Sequence, residues 1–265
     1  MKKRWLWGSI CLLLVVLLCF PVGAAQDCYR WYCKRNKNNL QPTLDANLQW
    51  ITQYGGCYID PVHGNEHTEK VLYLTFDAGY ENGNVARILD TLKAEEVSGT
   101  FFVLDHLLLT NTDLVRRMTA EGHIVANHTA KHKDITKLES KEALSAELRA
   151  LESLYYEKIG TDMPKYFRPP EGSFSKQSMQ WLHELGYQTI FWSFAYADWD
   201  NQNQPTHASA KQKIMENLHN GAVLLLHPTS ATNAAILGDV IRECKALGYR
   251  FGSLDELVAN QESYR

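Results

Sequence analysis

The sequence predicts an α/β fold, a distorted parallel barrel of seven strand–helix units. Seven apolar, strand-like runs occur at residues 71–76, 100–104, 124–127, 166–168, 189–194, 222–227 and 249–252. Amphipathic, helix-like stretches alternate with them near residues 84–95, 112–121, 141–159, 175–185, 208–219, 233–247 and 254–260. Strands that alternate with helices in this way form parallel sheets with helices packed outside.

Glycines separate the successive units. Six of them stand in the returns from a helix to the next strand: Gly99, Gly122, Gly160, Gly186, Gly221 and Gly248. We expect these glycines to end the helices. An open, doubly wound sheet is the alternative architecture. No glycine-rich dinucleotide fingerprint follows the first strand, which favours the barrel.

The chain divides into three segments. Residues 1–25 begin with three basic side chains, continue with an apolar stretch and end in small residues. This pattern is typical of an export signal peptide, and an uncleaved N-terminal membrane anchor is the alternative. Residues 26–69 are polar and Asn-rich, and we expect an N-terminal extension packed on the barrel. Residues 70–262 form the barrel domain.

The composition indicates an ordinary soluble globular protein, the cysteine usage fits export, and we expect a monomer. The net charge is −3, and loss of residues 1–25 would remove three of 27 basic side chains and no acidic one, leaving −6. Such a chain has no excess of basic residues that would favour binding to nucleic acid. Four cysteines lie outside the leader: Cys28, Cys33, Cys57 and Cys244. A disulfide among them would pin the extension, but three pairings are open.

Reactive side chains follow five of the predicted strands. They are Asp77 after the first, His128 and His132 after the third, Arg168 at the end of the fourth, Asp198 and Trp199 beyond the fifth, and His227 at the end of the sixth. Each of these residues, considered alone, can have a purely structural role, such as capping a helix or lying on a solvated helix face. In a parallel barrel, however, the C-terminal ends of the strands meet at one mouth, where active sites form.

One half of this set is suited to activating water for attack on an acyl bond. His128 and His132, spaced i, i+4, can bind a divalent ion that polarises a carbonyl. Asp77 can accept the proton of the attacking water, and Arg168 can keep that carboxylate ionised and oriented.

The other half is suited to protonating the leaving group. His227 can donate a proton to a leaving amine, and Asp198 would raise its pKa and fix its tautomer. The sequence has no nucleophile elbow and no Cys–His pair. Direct attack by water is therefore favoured over an acyl-enzyme.

Five short motifs resemble those of the polysaccharide deacetylases (carbohydrate esterase family four). They occupy residues 75–79, 127–132, 168–172, 198–199 and 225–227, in the family's order. The resemblance spans about residues 70–262. That family has a distorted β/α barrel and removes N-acetyl groups from chitin-like and peptidoglycan sugars with a divalent metal. The resemblance implies a distorted (β/α)7 barrel and an amide-hydrolysing activity here.

The resemblance also implies a role for each matching residue. Asp77 matches the general base and His227 the general acid, while Arg168 and Asp198 match the residues that orient them. Four positions match contacts to substrate: Glu171, Gly172, Trp199 and Leu225. The backbone N–H near Glu171 matches an oxyanion donor, and Leu225 lines the acetyl pocket.

The metal ligands depart from the family pattern. His128 and His132 match two ligands, but Ala78 stands where the family has a coordinating aspartate. Alanine cannot coordinate, so we expect a weakly held divalent ion, with zinc favoured. Glu81 and Asn82 are the candidates for a replacement ligand.

A longer stretch points to one branch of the family. Residues 75–83, Thr-Phe-Asp-Ala-Gly-Tyr-Glu-Asn-Gly, resemble the spore peptidoglycan N-acetylmuramic acid deacetylases. Those enzymes act on muramic acid without its peptide and lead to the muramic-δ-lactam of the spore cortex. The resemblance implies that the partner is peptidoglycan in the cell wall or spore envelope. The alternative is an N-acetylglucosamine deacetylase of peptidoglycan or chitin-like glycan. A non-catalytic glycan-binding descendant is a remoter alternative, motivated by Ala78.

Overall fold

The structure, a computed structural model, describes residues 27–34 and 38–264. The predicted signal peptide or anchor, residues 1–25, lies outside the described residues. Within the described ranges, no helix is long and apolar enough to cross a membrane.

Among the described residues all seven predicted strands are present and parallel, and three further strands of two or three residues accompany them. In chain order the strands are β1 (Cys28–Arg30), β2 (Gly56–Cys57), β3 (Lys70–Ala78), β4 (Thr100–Val103), β5 (Ile124–Asn127), β6 (Tyr166–Phe167), β7 (Ser173–Ser175), β8 (Gln188–Ile190), β9 (Ala222–Leu226) and β10 (Tyr249–Phe251). The additional strands are β1, β2 and β7. β1 and β7 pair antiparallel with each other.

The seven predicted helices are confirmed, and one short helix was missed. The α-helices are α1 (Asn84–Ala94), α2 (Asp105–Thr110), α3 (Thr112–Ala120), α4 (Lys141–Ile159), α5 (Lys176–Glu184), α6 (His207–Glu216), α7 (Ala231–Ala246) and α8 (Leu254–Ser263). The missed helix is α2, whose six residues are too few to show a helical period. The extension also contains a 3-10 helix, Ala46–Tyr54.

The sheet curls into a ring around β3. β3 pairs with β10 and with β4, and the order continues from β4 through β5, β6 and β8 to β2. β3 also pairs with β9. Phe194, just beyond β8, forms a parallel bridge to Leu224 of β9. This bridge links the β8 end of the sheet to β9. The predicted distorted (β/α)7 barrel is therefore confirmed.

The side chains of β3 point alternately into two hydrophobic cores. Leu72, Leu74 and Phe76 pack in an outer core with side chains of α1, α3 and α7. Val71 and Tyr73 pack in an inner core with side chains of the other strands. Successive side chains of a strand point to opposite faces. The inner face of β3 therefore continues to Asp77 at the mouth, while Ala78 belongs to the outer core.

Four of the six predicted glycines lie at or directly after a helix C-cap and have positive φ, as expected: Gly122, Gly160, Gly186 and Gly248. Gly221 also has positive φ, but α6 already ends at the C-cap Asn217, so Gly221 does not end that helix. The expectation for Gly99 is wrong. Glu96 takes the left-handed position after α1, with φ 53°. A Cβ at Gly99 would lie 2.9 Å from the Phe76 ring, so this glycine serves close packing and not helix capping.

The extension packs against the barrel through its first strand. β1 pairs with β7, and Trp31 follows with its Nε1 donating to the Trp192 carbonyl at 2.8 Å. The Trp31 ring stacks on Phe191 with centroids 4.3 Å apart. The domain boundaries themselves remain a prediction.

The described cysteines correct part of the disulfide expectation. Cys33 is half-buried with its Sγ 4.0 Å from the Trp192 carbonyl oxygen, and Cys244 is buried in the outer core. Neither of these two forms a disulfide. Aromatic packing and strand pairing attach this part of the extension without a bridge from Cys33.

Candidate active site

Asp77 lies near the C-terminal end of β3 on the inner face. Arg168 Nη1 donates to its Oδ1 at 2.9 Å, and His128 Nε2 lies 3.6 Å from its Oδ2. Burial alone would raise the pKa of the Asp77 carboxyl. The charges of Arg168 and His227, together with the Arg168 hydrogen bond, outweigh burial and lower that pKa below its ordinary value. The site therefore holds an ionised, directed carboxylate.

Arg168 directly follows β6, and its side chain is fully buried. Besides the bond to Asp77, the guanidinium donates to Thr75 Oγ1 at 2.8 Å and to the Ile190 carbonyl at 3.0 Å. It also lies 4.2 Å from the centroid of the Phe102 ring. A planar group bound on several sides cannot reorient, so Arg168 fixes the direction of the carboxylate.

His128 and His132 lie in a loop after β5 and not on a helix. Thr129 and His132 both have positive φ, 67° and 56°. Asn127 Oδ1 accepts the Thr129 N–H at 2.8 Å and supports this turn. The two imidazole rings stand 5.0 Å apart. The turn, and not helical periodicity, brings the pair together.

The donor set of these two histidines fits part of a divalent-metal site. His128 Nδ1 donates to the Arg168 carbonyl at 2.8 Å, which leaves the Nε2 lone pair available. Burial lowers the pKa of His128 to about 4, so the ring stays neutral. A neutral imidazole with its other nitrogen hydrogen-bonded is the usual state of a metal ligand. His132 is exposed beside it.

Neither candidate for a third ligand replaces the carboxylate missing at Ala78. The Glu81 carboxylate accepts backbone N–H groups at the start of α1, from Gly83 and Ala86. Asn82 Nδ2 donates to the Thr229 carbonyl at 2.9 Å. Both side chains cap and anchor the loop, which leaves the two histidines as the candidate protein ligands at this position.

His227 and Asp198 form the second hydrogen-bonded pair of the mouth. Asp198 is fully buried, and its Oδ1 accepts from His227 Nδ1 at 2.7 Å. Burial alone would lower the pKa of His227, but the bond to Asp198 and the charges of Asp198 and Asp77 raise it. His227 is therefore poised to hold a proton, with Nε2 directed away from Asp198.

Asn233 belongs to this pair and escaped the sequence analysis. Its Nδ2 donates to Asp198 Oδ2 at 2.6 Å and to the His227 carbonyl at 3.1 Å. It lies buried in the first turn of α7, where Ser230 caps the helix. The available signal was a polar amide at the start of the helix that follows the His227 strand.

The predicted substrate-binding residues take different positions. Glu171 and Gly172 both have positive φ, and the Gly172 N–H is bonded to the Pro169 carbonyl at 3.0 Å. The Glu171 N–H is thus the candidate oxyanion donor of this loop. Leu225 is buried in the inner core, whereas Trp199 is 63% exposed.

Comparison with known proteins agrees with this geometry. The family described as "Polysaccharide deacetylase" matches residues 64–190. An uncharacterized 30.6 kDa protein of Geobacillus stearothermophilus is 39% identical, over 96% of this chain and 94% of that protein. Peptidoglycan-N-acetylmuramic acid deacetylase PdaA of Bacillus subtilis is 38% identical, over 98% of this chain and 97% of its own length.

A solved structure extends the likeness to three dimensions. The structure of Bacillus subtilis PdaA, described as a family 4 carbohydrate esterase, has a TM-score of 0.83 to this chain at 37% identity. The match covers 89% of this chain and 98% of the other. The chain therefore belongs to the polysaccharide deacetylase family.

Proposed function

We propose that this protein hydrolyses the N-acetyl group of N-acetylmuramic acid in peptidoglycan. One observation carries the proposal: the Asp77–Arg168 and His227–Asp198 pairs supply an ionised base and a protonated acid at one barrel mouth. The similarity to PdaA over nearly the full length supports muramic acid as the sugar.

In the proposed reaction, Asp77 Oδ2 accepts a proton from the attacking water while Arg168 holds Oδ1. The Glu171 N–H stabilises the developing oxyanion. His227 then donates its Nε2 proton to the leaving amine, and Asp198 stabilises the imidazolium. The bond that breaks is the amide C–N bond, and the products are acetate and an amino sugar.

We further propose that His128 and His132 hold a zinc ion, weakly, because Ala78 supplies no ligand. When bound, the ion would supply Lewis acidity toward the acetyl carbonyl. Leu225 would line the acetyl pocket, with Gly172 beside the oxyanion donor and exposed Trp199 as a surface for the sugar.

The proposed substrate is muramic acid that has lost its peptide. Deacetylation frees an amine on the same sugar as the lactyl carboxyl, and the two can close a six-membered lactam through proximity. The product would therefore lead to the muramic-δ-lactam of a spore cortex. We also propose that the protein acts outside the cytoplasm as an exported monomer, with residues 1–25 as signal peptide or membrane attachment.

Mass spectrometry of digested glycan tests the substrate. We expect the full chain to remove acetyl groups from muramic acid in peptide-stripped strands and to leave peptide-bearing strands unchanged. Acetyl loss from glucosamine would instead support the N-acetylglucosamine alternative. Glycan binding without acetate release would support a non-catalytic descendant.

The two perturbed pKa values predict a bell-shaped pH dependence of kcat/KM. Activity should fall on the acid side as pH drops through the lowered pKa of Asp77, because the base must be ionised. It should fall on the alkaline side as pH rises through the raised pKa of His227, because the acid must be protonated.

The variant Asp198→Asn tests the alkaline side of that profile. Losing the carboxylate removes the main interaction that raises the His227 pKa, so the alkaline limb should move to lower pH. Acetate release is measured across pH for both proteins. An alkaline limb that stays in place would contradict the role of His227.

A further inference from the structure

A second cluster of ligating side chains lies at the opposite end of the barrel from the candidate active site. The ligand atoms of His63, His67 and Glu69 all lie within 4.8 Å of one another. Glu69 immediately precedes β3, while Asp77 is near its far end. At the usual rise of a strand the two positions are about 25 Å apart. The cluster shares no residue with the barrel mouth.

A buried carboxylate orients the first of these histidines. Asp60 is fully buried, and its Oδ2 accepts from His63 Nδ1 at 2.7 Å. The proton of a neutral ring is thereby held on Nδ1. The Nε2 lone pair is left 3.5 Å from Oε2 of Glu69. A histidine supported by a carboxylate in this way is the usual arrangement behind a metal ligand.

Asp60 is itself held by three parts of the chain. Tyr73 of β3 and Asn260 of α8 both donate to its Oδ2. The Val62 N–H donates to its Oδ1 at 2.9 Å. The His63 ring is also buried, so its orientation is set in advance of any ligand.

The other two ligands are accessible, and the local charge favours a cation. His67 and Glu69 are both exposed, and His67 Nδ1 lies 3.2 Å from both the backbone nitrogen and the carbonyl oxygen of Glu69. Arg250 bonds to the other oxygen of Glu69 and to Glu256. Glu69 and Glu256 pair with this one guanidinium, and the buried Asp60 adds a third carboxylate beside His63, so the carboxylates outnumber it.

We propose that His63, His67 and Glu69 bind a divalent first-row cation of the zinc type, with water completing the shell. In a tetrahedral zinc site the donor atoms stand about 3.3 Å apart. The His63–Glu69 separation of 3.5 Å is already close to this value. Rotation of the exposed His67 and Glu69 side chains closes the remaining gaps. Bound there, the ion would close residues 63–69 into a loop directly before β3.

Zinc titration of a variant that lacks the mouth histidines tests this site. The full chain carrying His128→Ala and His132→Ala is stripped with chelator and titrated with Zn²⁺ by calorimetry. We expect about one zinc to bind and the melting temperature to rise with zinc. Adding His67→Ala or Glu69→Gln should weaken binding about tenfold or more and remove most of the thermal shift.

Two matched substitutions serve as controls. His106→Ala removes an exposed histidine of α2, and Glu66→Gln removes an exposed carboxylate of the loop that carries His63 and His67. Both substitutions should leave the zinc affinity unchanged. Both cluster substitutions lie on the surface, so misfolding should not obscure the result. The proposal is overturned if the mouth-deficient variant binds no zinc, or if its affinity is the same with and without His67 and Glu69.

Discussion

The substitution Asp77→Asn should lower kcat for acetate release by about 10²–10⁴-fold, the range that general-base catalysis contributes. The amide can still accept the Arg168 hydrogen bond, but it cannot take a proton from water. Arg168 and His128 both contact the Asp77 carboxylate at the mouth. We therefore expect no neighbouring group to replace Asp77 as the base. Acetate release from peptide-stripped glycan under saturating substrate measures the effect.

A surface carboxylate provides the matched control. Asp113 lies in the first turn of α3, with its side chain 96% exposed and paired with Arg116. Asp113→Asn should leave kcat within the error of the assay. Thermal melting of both variants separates loss of chemistry from loss of fold. Full turnover in Asp77→Asn would remove Asp77 from the role of base.

The substitution Arg168→Met should cost about 3–5 kcal/mol in the free energy of unfolding, because it leaves a buried carboxylate without its cation. Methionine has a similar length and can pack beside Phe102, so the loss is mainly electrostatic. Without the guanidinium the pKa of Asp77 should rise, and the acid limb of the pH profile should move to higher pH. Denaturant unfolding at neutral pH measures the stability.

A double-mutant cycle isolates the pair. If the cost of Arg168→Met comes from the stranded Asp77 charge, then adding Asp77→Asn should recover part of the lost stability. Strictly additive losses would mean that Arg168 stabilises the barrel through its bonds to Thr75, Ile190 and Phe191 alone. The cycle therefore distinguishes an electrostatic pair from a structural arginine.

The strands and most helices could be predicted because their causes are local. Buried parallel strands read as continuous apolar runs, as at residues 71–76 and 222–227, and helices show their period when they are long enough. The residues of the mouth could be predicted because parallel strands end at one place. The two acid–base pairs were recognisable for the same reason.

The features that the sequence did not reveal depend on contacts between residues distant in sequence or on backbone conformation. Asn233 supports Asp198 from a helix that begins 33 residues later, and its place at the start of that helix does not indicate which residue it contacts. The turn that joins His128 and His132 depends on positive φ at Thr129, which is rare for a β-branched residue. Gly99 looked like a cap, yet its small size serves the Phe76 ring.

Ala78 illustrates how fold and chemistry separate. The strand pattern alone places its side chain in the outer core, where alanine packs well. The two candidate catalytic pairs at the mouth make their hydrogen bonds without it. The loss of this ligand therefore bears on metal affinity and leaves the proposed base and acid in position.

Acetate release from peptide-stripped peptidoglycan by the purified full chain tests the central claim most directly. The account predicts release in proportion to enzyme, with the lost acetyl groups mapped to muramic acid and with Asp77→Asn as the inactive reference. No release from stripped strands, or equal release by wild type and Asp77→Asn, would contradict it.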